Sequence, residues 1–337
     1  MMRAILLDKP APIEETPLRY SEYDVPTIAD DEVLIKVKAC GVCRSNLNVI
    51  EGVYSRLGIP SLSPIIPGHE IIGLITETGA NVKNLVTGDR VGIQPLYSAC
   101  GICEYCLSAR EHLCPNRLIT GETVHGGYAE YIKGKDNFVY RVPKELKDHE
   151  AAPLFCPGVT AYRAVKQANL TIGKTAAIFG IGGVGHVAVQ FAKMTGASVI
   201  AVSRSKENLE LASTVGADKT IPQDDNLVHE MKKIGYVDSA IVFAPSQEAI
   251  DKAQRITKPG GTIVLGVAGD VRKLLFFFEK TIKGTAIGTR HDMKEVLKIA
   301  STNKIKIVTN TYPLQEASEV LQKLKGGEIK GRAVLIP

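Results

Sequence analysis

Over the first 150 or so residues, apolar and polar positions follow one another in short runs punctuated by turn residues. Residues 32–39, 71–77, 90–94 and 127–133 have strand-like patterning, with breakers such as Gly79-Ala-Asn and Thr87-Gly-Asp between such runs. This half is predicted to be mostly β. From about residue 154 to 289 the pattern changes, and continuous apolar runs at 176–179, 198–202, 239–243 and 262–267 alternate with helix-like segments such as 185–194 and 206–215. That alternation predicts βαβ units and a parallel sheet. The tail from about residue 290 holds two amphipathic helix candidates, 292–301 and 314–324, and a final strand at 333–336.

A length of 337 residues gives a prior of about two domains at roughly 150 residues each, and no internal repeat or low-complexity segment interrupts them. With 45% hydrophobic and 23% charged residues the chain reads as globular, neither disordered nor fibrous. Lys and Arg total 41 against 36 Asp and Glu, so the +5 charge is thinly spread and nucleic acid is not the expected partner. The apolar run at 4–7 is too short for a secretory core, and the 175–192 stretch is broken by glycines and His186, so no membrane span and a cytoplasmic location are expected. Seven cysteines in a reducing compartment are then ligands, nucleophiles or buried thiols.

Four of those cysteines share one loop, Cys100-x2-Cys103-x2-Cys106-x7-Cys114. Four thiolates close a tetrahedral zinc site with no open position, which makes it structural. The alternatives are an iron–sulfur cluster or four unrelated thiols. Of the other three, Cys43 in Gly41-Val-Cys43-Arg-Ser45 and Cys156 before Pro157 combine with His69 into a Cys2His set from three distant segments. Such a set matches a catalytic zinc that keeps a position for substrate. A lone His is more often structural, and Cys40 with Cys43 also forms a CxxC; no βαβ pattern surrounds it, and Cys40 is read as a buried thiol.

The predicted strand 176–179 runs into Gly180-Ile-Gly182-Gly183-Val184-Gly185, followed by a helix pattern. Glycines between a strand and a helix allow the tight turn and let the helix N-terminus meet a pyrophosphate; the alternative is a purely structural turn. After the next strand an NAD-preferring site would place a carboxylate for the ribose. Here stand Ser203, Arg204, Ser205 and Lys206. Without a carboxylate to repel it, and with a planar cation to hold it, the 2′-phosphate of NADP is expected to be favoured; the alternative is a pair of solvated charges opening a helix.

Gly68-His69-Glu70-x2-Gly73-x5-Gly79-x2-Val82 resembles the zinc signature of the zinc-containing alcohol dehydrogenases of the medium-chain dehydrogenase/reductase superfamily. The likeness extends to Gly88-Asp89-Arg90-Val91, the cysteine loop, Gly126-Gly-Tyr-Ala-Glu-Tyr131, Cys156-Pro-Gly-Val-Thr160, the glycine fingerprint and Gly331-Arg332. It implies an α/β chain: a mostly β, GroES-like catalytic domain over 1–153, completed by 290–337, and a doubly wound Rossmann domain over 154–289, with the active site between them. By the same resemblance Cys43, His69 and Cys156 bind a catalytic zinc beside Glu70, and Cys100, Cys103, Cys106 and Cys114 bind the second zinc. Thr160 packs on the nicotinamide, and Arg44 and Arg332 serve cofactor phosphates or nearby groups. A surface-charge or helix-start role is the alternative for each of these three.

Zinc supplies a Lewis acid, and the nicotinamide exchanges hydride with an alcohol or aldehyde. Ser45 begins the proton relay by resemblance, but the Asp that usually follows is Asn46, and a His found in some relatives would fall at Asn48. An amide accepts no proton at neutral pH, so the relay is expected to continue through the cofactor ribose or water, and the zinc-binding His to lack carboxylate support. Loops at 46–60 and 112–125 line the expected substrate pocket, where Leu57, Ile59 and Leu118 lean toward apolar alcohols. A polyol or sugar dehydrogenase is the runner-up, and a non-catalytic nucleotide-binding protein the reading of another class. A homodimer or homotetramer is expected through a last sheet strand at 284–289, with the apolar 274–278 at an interface or in the core.

Overall fold

A computed structural model describes residues 1–59, 62–271, 274–302 and 305–337. Pro60, at the end of the expected substrate loop, lies outside the described residues. Two compact units emerge, Met1–Cys156 with Thr289–Pro337, and Pro157–Gly288. The expected boundary at residue 153 moves to Cys156, because Leu154, Phe155 and Cys156 are buried within the first unit; Phe155 fills the space over Gly92, where a Cβ would lie 2.2 Å from its ring. Fully burying a Phe-sized side chain is worth about 1.5–3 kcal/mol, enough to hold this short segment.

The first unit is organised around the ten-residue strand Glu32–Gly41, whose run of apolar residues is buried on the sheet. It pairs antiparallel with Glu70–Thr78, and Gly41 faces Glu70 in the register. The final strand Arg332–Ile336 also pairs antiparallel with it, Val334 opposite Gly41. Antiparallel pairing on both sides therefore brings Cys43, His69, Glu70 and Arg332 to one end of three neighbouring strands. Arg90–Ile93, Val139–Arg141, Thr309–Pro313 and Tyr131–Lys135 complete the sheet. The last of these was expected at 127–133. Gly126 and Gly127 are instead pressed on Pro67, Gly68 and Ile71, where Cβ atoms would come within 2.1 and 2.4 Å of neighbouring atoms, so the ladder starts only at Tyr131.

The second unit is a six-stranded parallel sheet in the order Lys219–Pro222, Ser198–Ser203, Thr175–Phe179, Val237–Val242, Thr257–Leu265, Thr281–Gly284. The order reverses between the strands that end at Phe179 and Val242, which makes that gap the topological switch point. The edge strand occupies 281–284, not the expected 284–289. Its neighbour ends at Leu265, which pairs with Gly284, so no ladder remains to extend, and the chain leaves the sheet through Ile287 at φ 36°.

Candidate active site

The sequence makes Cys43 the N-cap of the helix Arg44–Ile50, and the cap is held by Asn46: the Cys43 N–H donates to Asn46 Oδ1 at 3.0 Å. Tyr128, fully buried, donates its O–H to the same oxygen at 3.0 Å. With Oδ1 taken by two donors, the amide nitrogen of Asn46 faces His69 Nδ1 at 3.4 Å. The other ring nitrogen, Nε2, lies 3.4 Å from Ser45 Oγ, and Ser45 donates to Cys43 Sγ at 3.1 Å. Cys43 and Cys156 sulfurs are 3.7 Å apart, and ligand atoms of Cys43, His69, Glu70 and Cys156 all lie within 4.8 Å of one another.

Glu70 and Arg332 form a buried ion pair through Oε1 and Nη2. Glu70 Oε2 and Arg332 Nε have no hydrogen-bond partner among the described residues. Gly41 is obligatory beneath the pair, since a Cβ there would sit 2.0 Å from Oε2. Burial pushes the Glu70 carboxyl up to about 7 against the pull of the Arg332 charge. The hydrogen bond from Cys156 holds the Cys43 thiol well below its ordinary value, and the same bond together with burial pushes Cys156 up. Burial works to lower His69, but its hydrogen bond with Cys43 and the surrounding negative charge leave it raised.

This donor set fits a zinc ion. Two thiolates at the usual zinc–sulfur length of about 2.3 Å in a tetrahedron stand about 3.8 Å apart, close to the 3.7 Å observed for Cys43 and Cys156. The same holds in the second cluster, where Cys100 and Cys106 sulfurs are 3.9 Å apart and all four thiols lie within 4.8 Å. A multi-iron cluster binds its cysteines to separate irons, which spreads them further. Cys40 is fully buried, as read from the sequence, with its thiol turned to its neighbour's carbonyl, and stands outside both ligand sets.

In the second unit the strand Thr175–Phe179 enters the glycine turn at the switch point. Gly180 has φ +86° and lies so close to Ala244 that a Cβ would approach its N to 2.5 Å; at Gly185 a Cβ would meet Gly180 O at 2.0 Å. A Cβ on Gly182 would meet nothing within 4 Å, so this position borders open space ahead of the helix Gly185–Met194, as a phosphate cradle requires. Gly183 and Val184 complete the turn. Ser203 is buried at the end of the neighbouring strand, Arg204 is exposed beyond it, and Lys206 opens the helix Lys206–Thr214, which Ser205 caps. Thr160 lies on the helix Pro157–Gln167.

Arg332, expected to serve cofactor phosphates or nearby groups, has Glu70 as a partner, and sequence reasoning missed the pair because only strand register joins positions 262 residues apart. Leu57, Ile59 and Leu118 are 70%, 38% and 39% exposed, so they form no enclosed apolar wall within this unit. Arg44 is exposed at the first residue of its helix.

Among known proteins, the profile of the alcohol dehydrogenase GroES-like domain matches residues 29–144, and that of the zinc-binding dehydrogenases matches 183–302. The chain is 41% identical over 326 residues to an alcohol dehydrogenase of Geobacillus stearothermophilus, covering 95% of this chain and 96% of the relative. It is 37% identical over 351 residues to an NAD-dependent alcohol dehydrogenase of Sulfolobus acidocaldarius, covering 99% of each. The crystal structure of the Aeropyrum pernix alcohol dehydrogenase superposes with a TM-score of 0.91 at 31% identity, over 99% of this chain and 100% of that one. Identity of this extent, with both profiles in chain order, makes the chain a member of the zinc-type medium-chain alcohol dehydrogenases.

Proposed function

We propose that the protein catalyses reversible hydride transfer between an alcohol and its aldehyde or ketone, with NADP favoured over NAD. The observation that carries this reading is the convergence of Cys43, His69, Glu70 and Cys156 within 4.8 Å, with the Ser45 hydroxyl 3.1 Å from Cys43 Sγ. Cys43, His69 and Cys156 would hold one zinc, with Glu70 beside it, and the four-cysteine loop a second, structural one. Zinc supplies a Lewis acid toward the substrate oxygen, and the nicotinamide supplies or accepts the hydride.

The chain's own residues then have the following tasks. Ser45 Oγ takes up the proton of the alcohol and releases its own. Asn48 donates to Tyr54 OH at 3.3 Å and holds no proton in transit at neutral pH, so the proton passes from Ser45 to the cofactor ribose or to water. Gly180, Gly182 and Gly185 let backbone N–H groups meet the pyrophosphate, and Thr160 packs on the nicotinamide. Arg204 and Lys206 take the 2′-phosphate. Arg332 keeps Nε for a neighbouring group while Nη2 holds Glu70, and Arg44 offers its exposed charge to a phosphate.

Leu274, Leu275, Phe276 and Phe277 are 53%, 46%, 87% and 61% exposed beside the edge strand, which supports a homodimer or homotetramer in place of a core role. Seven free thiols, two sets of them poised as ligands, suit the cytoplasm. Among the described residues no helix is long and apolar enough to cross a membrane.

The test is a panel of alcohols, aldehydes and sugars assayed with both cofactors beside metal analysis. A kcat/KM higher with NAD, the cofactor in the name of the Sulfolobus acidocaldarius relative, overturns the NADP assignment.

A further inference from the structure

We propose that Tyr128 is a positioning residue for the metal centre: by occupying the second lone pair of Asn46 Oδ1 it denies His69 an acceptor, and so loosens the hold on the zinc shared by Cys43, His69 and Cys156. The inference rests on the zinc reading above and deepens it, naming the side chain that sets metal retention.

The amide of Asn46 has one orientation only. The Cys43 N–H cannot accept, so the atom 3.0 Å from it is the oxygen Oδ1, and the nitrogen is left 3.4 Å from His69 Nδ1. The other ring nitrogen, Nε2, lies 3.4 Å from Ser45 Oγ, which donates to Cys43 Sγ at 3.1 Å. A metal shared with Cys43 is therefore reached through Nε2, and Nδ1 keeps the ring hydrogen. That hydrogen faces an NH2 group, which accepts nothing. The one acceptor on the Asn46 side chain is Oδ1, and its two lone pairs are spent on the Cys43 N–H and the Tyr128 O–H.

Of the two occupants, the Cys43 N–H belongs to the main chain at the start of its helix, whereas the Tyr128 hydroxyl is supplied by one side chain. Tyr128 cannot swing away. Its N–H donates to Pro67 O at 2.9 Å, and its carbonyl accepts from Ile5 N at 2.8 Å. Its ring is fully buried against Gly68, where a Cβ would sit 2.4 Å from Cδ1. Gly68 also has φ +95°, so glycine there both permits the turn and admits the ring beside the residue that precedes His69. The hydroxyl makes no other hydrogen bond among the described residues, so its effect falls on Asn46. Outer hydrogen bonds to metal-binding histidines are worth about 10- to 100-fold in metal affinity, and this arrangement forgoes one.

The experiment follows zinc release to a chromophoric chelator from the zinc-loaded wild type, Tyr128→Phe, Tyr128→Met, Asn46→Asp and the double variant Asn46→Asp with Tyr128→Phe. Cys43→Ala identifies the phase that belongs to this site, and the phase of the four-cysteine loop is the control for folding. Tyr128→Phe and Tyr128→Met are expected to slow release from this site by about tenfold and to leave the other phase unchanged, whereas a merely structural defect speeds release. In the Asn46→Asp background the Phe substitution is expected to change the rate by less than about twofold, because the carboxylate already has lone pairs to spare. An equal slowing there places the effect outside Asn46 and overturns the inference. Unchanged or faster release in both Tyr128 variants overturns it too. So does loss of zinc from the four-cysteine loop in both, which makes the hydroxyl a requirement for folding. A Cys43→Ala trace identical to that of the wild type overturns the zinc reading itself.

Discussion

The guanidinium of Arg332 lies buried against the carboxylate of Glu70, while the second oxygen of that carboxylate, Oε2, has no hydrogen-bond partner among the described residues. The pair stands at the end of three neighbouring strands, next in sequence to His69. Removing one partner of a buried ion pair strands the other charge, at a cost of about 3–5 kcal/mol. Arg332→Met is therefore expected to lower the unfolding free energy by that order, and Arg332→Met with Glu70→Gln to recover part of it. Guanidinium unfolding of the wild type and the two variants measures this; equal losses in the single and double variants would contradict the pairing.

Much of this site was legible in the sequence, and the rest was not, for physical reasons. Cys43, His69 and Cys156 lie in segments whose glycines and prolines constrain the backbone, so local motifs announced them, and the four-cysteine loop is local by construction. The Glu70–Arg332 pair and the donation of Tyr128 to Asn46 arise from strand register and loop packing, which no local window encodes. The edge strand was misplaced because its end is set by Leu265 on another strand.

Asn46 has its side-chain oxygen already taken by Cys43 N–H and Tyr128 O–H. Its nitrogen is then left toward His69 Nδ1, the ring position from which a zinc-binding histidine ordinarily donates. Asn46→Asp keeps both acceptor contacts and adds one for the ring. The expected outcome is zinc release to a chromophoric chelator slowed by about tenfold or more. Unchanged release kinetics would show that the amide supports the ring equally well.

The proposed preference for a 2′-phosphate rests on Arg204, exposed just past the strand Ser198–Ser203. A charge-assisted bond to an anion is worth about 1.5–3 kcal/mol, which converts to roughly a ten- to hundredfold change. Arg204→Ala is expected to lower kcat/KM for NADP by that factor and to leave NAD nearly unaffected. Equal effects on both cofactors would remove Arg204 from phosphate recognition.

Glu32 gives a pH dependence outside the metal centre. Burial opposes its ionised form, but the Ala29 N–H, Lys133 and the Tyr97 hydroxyl together hold it down at about 2. A carboxyl depressed in the folded state contributes stability above its unfolded value near 4.5, and that contribution is lost as the pH falls from about 4.5 toward 2. The stability difference between wild type and Glu32→Gln, from urea unfolding, is expected to be largest at pH 6 and to shrink toward pH 3. A difference that grows on acidification would contradict the network.

The account is tested most directly by the zinc content of Cys43→Ala beside that of the wild type, with turnover and cofactor binding followed on the same samples. Loss of one of two zinc ions per chain, together with abolished turnover and retained NADP binding, is the predicted result. A variant that keeps both ions and still oxidises alcohol would mean that Cys43, His69 and Cys156 do not serve a common metal.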